Sequence, residues 1–275
     1  MLNNKSEKLK KWKLKDYLIF FFIVPLILFA IYLTPYEIKQ NFILSVSSPT
    51  IQSIFISNYT HSEFYHLVYN LILYFLIIFL IFNIETDRKM FHKFSFVSFL
   101  ILPLINGLFI LYLIPIFLPQ IKFVQGFSTI LTAFIAYILF CSYTYVKNSW
   151  KLKLNQTFFW LLVSINLLLA IVLEWFDIRI FIPIAIILFF SIYININAIK
   201  EIFCHLKNSY KNEKNTFVLA YKTIIFILIL FFIFSLPFAI PKNFISESGF
   251  TNIFSHYIGY VFGVFAPLFL YLSNK

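Results

Sequence analysis

Charge is scarce in this sequence: Asp, Glu, Lys and Arg make up 12% of its 275 residues, about half the share usual in soluble globular domains. With 61% hydrophobic residues and a mean hydropathy of +0.88, that scarcity excludes a water-soluble fold and puts the chain in a membrane. Acidic residues are fewest where they would matter most for transport. All eleven fall in expected loops or at expected span ends, which leaves no carboxylate for a proton relay or cation site. Cysteine is limited to Cys141 and Cys204, both expected on the reducing side, where a disulfide would not persist; they read as free thiols. No internal repeat of the kind many transporters carry is visible. No basic stretch interleaved with exposed aromatics suggests nucleic acid as a partner. No small-residue cleavage pattern follows the first apolar run, which reads as a retained anchor.

Long apolar runs are abundant. A span needs roughly 20 nearly uncharged residues, and eight segments meet that need: 17–35, 65–83, 94–117, 127–146, 156–173, 178–196, 221–239 and 252–272. The expected fold is therefore all-α, a polytopic transmembrane helical bundle (17–275) behind a basic cytoplasmic N-terminal tail (1–16). Orientation follows from the excess of Lys and Arg that cytoplasmic loops retain. With the N-terminus inside, eighteen of the 22 basic residues are cytoplasmic, and only Lys39, Lys122, Arg179 and Lys242 are outside. A net charge of +11 is thus explained by the lipid bilayer alone. The expected location is the cell membrane.

Polar side chains inside spans are costly and are functional candidates by default. His92 and His205 lie in basic inner loops and read as solvated. His61 and His66 flank the outer start of the second span, and His256 opens the last. His61 and His66 are five positions apart, about 140° around a helix, so they do not form the i, i+4 pair of a zinc site; no metal is expected. His66 and Asn70 are four apart and share a face, a pair able to donate to one oxygen. Ser128 follows Gly126 at the outer start of the fourth span. Gly259 and Gly263 make a small-xxx-small stripe that admits a neighbouring backbone, and His256 lies three residues before it. Three of the chain's five glycines thus flank one serine and one histidine.

The stretches His61 to Asn70, Gly126 to Thr129 and His256 to Gly263, in that order, resemble the three signature motifs of rhomboid intramembrane serine proteases. The resemblance implies a rhomboid-like bundle with a six-span core plus two extra spans, and a cofactor-free hydrolase that cleaves transmembrane protein substrates near the outer membrane face. It implies Ser128 as nucleophile and His256 as general base. His66 and Asn70 would hold the oxyanion with the Ser128 N–H, and His61, Gly126, Gly259 and Gly263 would be structural. Thr129 stands where the family usually has a second glycine, and three spans separate the Ser and His spans where a minimal rhomboid has one. Loop 36–62 and segment 240–251 would face substrate. Two alternatives stand beside this reading: an inactive rhomboid-like protein that binds membrane clients, and a small-molecule transporter.

Overall fold

The computed structural model describes residues 12–173, 177–239, 245–246, 249–250 and 252–273. Among them are eight helices long and apolar enough to cross a membrane: α1 Leu14–Tyr32, α2 Phe64–Ile84, α3 Arg88–Phe117, α4 Ser128–Ser149, α5 Gln156–Leu173, α6 Ile178–Asn212, α7 Thr216–Phe234 and α8 Ile253–Leu272. The protein is an integral multi-pass membrane protein built as an all-α bundle. The tail 1–11, the α5–α6 link 174–176 and most of segment 240–251 lie outside the described residues.

α4 is the central helix. Every residue from Thr129 to Thr144 is buried, and α2, α3, α5, α7 and α8 all pack on it. It is also less apolar than α2, α3, α5 and α7 around it, whereas α6, more apolar, is almost wholly exposed and packs mainly on α5. That inversion is what a bilayer demands: lipid-facing positions must be apolar, while the protein interior tolerates Ser, Thr, Cys and Tyr that find partners.

Several boundaries differ from the sequence reading. α6 continues as helix to Asn212 rather than ending at 196, because Lys200 and Glu201 end a membrane span but do not end a helix. The third span is two helical segments, Arg88–Leu100 and Leu102–Phe117, that meet at Ile101 just before Pro103, where proline removes a backbone donor. α1 starts at Leu14 and takes in Asp16.

Asp16 corrects the expectation that no carboxylate is buried, and Glu85, half-buried, is held by partners on α4. Asp16 has no exposed surface; its Oδ2 and Oδ1 accept Arg88 Nε at 2.5 Å and Nη2 at 2.8 Å. The bidentate guanidinium offsets the cost of burying the charge. His92, expected to be solvated, is the third member of this cluster, with Nε2 3.0 Å from Asp16 Oδ1. Glu85, at the end of α2, accepts Tyr137 Oη at 2.6 Å and Cys141 Sγ at 3.1 Å, and burial pushes its carboxyl above the usual carboxylate range. Cys141 is therefore a donor with a partner. His205 stacks on Trp150 with ring centroids 4.7 Å apart and is likewise not a free surface side chain.

Loop 36–62 is a folded element. Leu44–Ser45 (β1) pairs antiparallel with Phe123–Val124 (β2), Leu44 opposite Val124. The Thr50 hydroxyl caps a helix over Ile51–Ile56 by accepting the Ser53 N–H at 3.0 Å. This helix presses on α3 at Gly107, where a Cβ would come within 2.6 Å of Ile54 Cγ2. Buried Asn58 completes the dock, donating to Pro103 O at 3.2 Å and accepting from Asn106 Nδ2 at 2.8 Å.

Candidate active site

The chain enters α4 through Gly126, whose φ of +131° is open to glycine and strained for any L side chain. Its N–H donates to Ser57 O at 2.9 Å, so the folded outer loop holds the start of α4. Phe127, fully buried, seats the turn among Tyr59, Tyr74 and Phe99. Ser128, half-buried, is the first helical residue. The first hydrogen bonds of the helix start with Ile130 and Leu131, both donating to Phe127 O. The amides of Ser128 and Thr129 thus have no intrahelical acceptor and point out of the helix end.

Gly126 is also the point at which two candidate side chains converge. A Cβ placed there would lie 3.6 Å from His66 Cε1 and 4.0 Å from Ser128 Oγ. The first turns of α2 and α4 therefore bring an imidazole and a hydroxyl to one place.

α8 supplies the third group. Gly259 lies on the Thr129 carbonyl and Gly263 on the Ala133 carbonyl, each so close that a Cβ would overlap the oxygen. Four residues along one helix match four along the other, so α4 and α8 run parallel and in register. On that register His256 falls level with Gly126, two residues or about 3 Å of helical rise before Ser128. Asn252 caps this turn, its amide donating to Ser255 Oγ at 2.7 Å and its carbonyl accepting the Ser255 N–H. The His256 imidazole is held by a hydrogen bond from Nδ1 to Ala239 O. A carbonyl can only accept, so the proton sits on Nδ1 and the Nε2 lone pair is left free.

His61 and Asn70 form the layer beneath. Asn70 Nδ2 donates to His61 Nε2 at 2.8 Å, and the His61 ring meets His66 edge-on with centroids 5.1 Å apart. His61 is 1% exposed, and burial lowers its pKa to about 3, with His66 as a second cause. It is a neutral imidazole. The expected convergence of His66 and Asn70 on one oxygen is thus divided: His66 is exposed beside Gly126, whereas buried Asn70 spends one amide hydrogen on His61.

The chain matches no protein-family model, no curated protein and no solved structure.

Two features of the site carry no signal in the sequence. The Ala239 carbonyl that orients His256 is a backbone group seventeen residues away, and nothing in local sequence marks a backbone acceptor. The Thr129 hydroxyl is buried without a hydrogen-bond partner, although the close contact with α8 at that level is made by the Thr129 carbonyl. No hydrogen bond joins Ser128 Oγ to His256; the imidazole's bond runs to Ala239.

Proposed function

We propose that this protein is a rhomboid-like intramembrane serine endopeptidase, with its N-terminus cytoplasmic and its site open to the outer face. One observation carries the reading: α8 packs on α4 in parallel register through Gly259 and Gly263, which sets a histidine with a free Nε2 within about 3 Å of helical rise of a serine on a helix N-terminus. In this mechanism the Ser128 hydroxyl attacks the scissile carbonyl while His256 Nε2 takes its proton and returns it to the leaving amine. The unpaired Ser128 amide and His66 stabilise the oxyanion, and the second amide hydrogen of Asn70 is a further donor. Ala239 O takes the orienting place that a carboxylate holds in a triad. Water from the outer face then hydrolyses the acyl-enzyme. The asymmetry of Lys and Arg supports the orientation.

The test is labelling of purified protein in detergent by a fluorophosphonate probe. Wild type is expected to label, and Ser128→Ala and His256→Ala are expected not to while still unfolding cooperatively. A folded wild type that fails to label would favour the second reading, an inactive client-binding relative. The buried, unpaired Thr129 hydroxyl beside Ser128 is the observation on its side.

A further inference from the structure

The end of the bundle opposite Ser128, about 30 Å away along α4 at about 1.5 Å per residue, contains a cavity of about 410 Å³ between the ends of α2, α4, α5, α6 and α7. This volume falls within the range of about 300–1,000 Å³ typical of ligand sites. Its depth is apolar, lined by Phe158, Leu162, Ile225, Ile229 and Ile233, while its mouth carries His205, Ser209 and Lys222. A second hollow of about 320 Å³ shares those three residues and adds Asn208, Asn212 and Glu213. The two together grade from hydrocarbon-like to ionic.

Two further observations point to an occupant. Ser142 lines the cavity, is 3% exposed, and its Oγ has no hydrogen-bond partner. Its neighbour Thr144 instead bonds back to Phe140 O at 3.1 Å, the usual escape for a hydroxyl in a membrane helix. A donor left unpaired at such depth is costly unless something in the cavity accepts from it. Charge is the second observation. Segment 200–222 holds five lysines against two glutamates; of the lysines Lys222 lines the cavity, with its Nζ on Glu213 at 2.7 Å, so the charge that favours an anion is that of the segment around the mouth. Trp150, stacked on His205, sits at the mouth as interfacial aromatics do.

We propose that this cavity binds one anionic glycerophospholipid from the leaflet on the lysine-rich side. An acyl chain fills the apolar depth, an ester carbonyl accepts from Ser142 Oγ, and the phosphate rests among Lys222, His205 and Ser209. Basic pockets between spans on the cytoplasmic side suit such headgroups. The site is independent of the proteolytic reading.

The test is thermal unfolding of the purified full-length chain in neutral detergent, titrated with phosphatidylglycerol, with phosphatidylcholine of the same acyl chains, or with glycerol 3-phosphate. Phosphatidylglycerol at a hundred times its Kd is expected to raise Tm by about 5 °C or more. Phosphatidylcholine should raise it much less and glycerol 3-phosphate not at all. Ser142→Leu, which fills the cavity and removes its donor, should abolish the response, and Lys222→Gln should reduce it to the phosphatidylcholine level. If Ser142→Leu does not fold, Ile229→Phe serves as the filling variant. Equal responses to the two lipids, an equal response to glycerol 3-phosphate, or a full response in a filled variant would each overturn the proposal.

Discussion

Gly259 rests directly on the backbone carbonyl of Thr129, and this contact sets the distance between the two helices that carry Ser128 and His256. The obstacle to any larger residue is backbone, not a side chain that can rotate away. Gly259→Ala is therefore expected to cost about 1–3 kcal/mol of stability and to lower probe labelling by more than the folded fraction falls. Unfolding and labelling measured on the same sample check this, and an Ala variant with unchanged labelling would show that the spacing is not critical.

Gly126→Ala has a different cause. A Cβ there meets nothing nearer than 3.6 Å, so space is available, but φ of +131° is strained for alanine by about 1–3 kcal/mol. The variant is expected to fold with lower stability and to label slowly, because relaxing that strain turns Ser128 away from His66. Labelling rates at matched folded fraction measure this.

Thr129 gives separate predictions for stability and for chemistry. Thr129→Val keeps the shape and removes an unpaired buried hydroxyl, which should stabilise the protein by about 1 kcal/mol. Thr129→Gly removes bulk beside Ser128 and is expected to leave labelling unchanged or raised. A stable but unlabelled Gly variant would mean the threonine is needed where it stands.

His61 makes stability depend on pH. Its folded pKa of about 3 lies below its ordinary 6.5, so between those values the unfolded chain binds the extra proton. Stability should fall as pH drops through that window, by about 1.4 kcal/mol per unit for this one group. The comparison is with His61→Gln, which keeps an acceptor for Asn70 and should lack this part of the slope. Parallel curves for the two proteins would count against a neutral buried imidazole.

At the other end of the bundle, Asp16→Asn leaves Arg88 without its bidentate acceptor and should cost about 3 kcal/mol. Arg88→Met added to it should cost less than the two single changes summed, since the pair acts as a unit. Chemical unfolding of the three variants in detergent is the measurement.

The sequence by itself determined the class of fold and the number of spans, because crossing hydrocarbon requires long uncharged runs and few other sequences have them. It also marked His256, the glycines around it and Ser128 beside Gly126, since imidazoles are rare in such runs and glycine is scarce throughout. Charge misled it in two places. Lys200 and Glu201 looked like the end of a helix that runs on to Asn212, and Asp16 looked solvated although Arg88, seventy-two residues away, buries it. Only the tertiary structure decided that α8 lies parallel to α4, that Ala239 holds the His256 ring, that Asn70 turns to His61, and that Ser142 faces a cavity unpaired. Each of these depends on a contact between residues far apart in the chain, often with a backbone atom, and a backbone atom is the same whatever the residue that bears it.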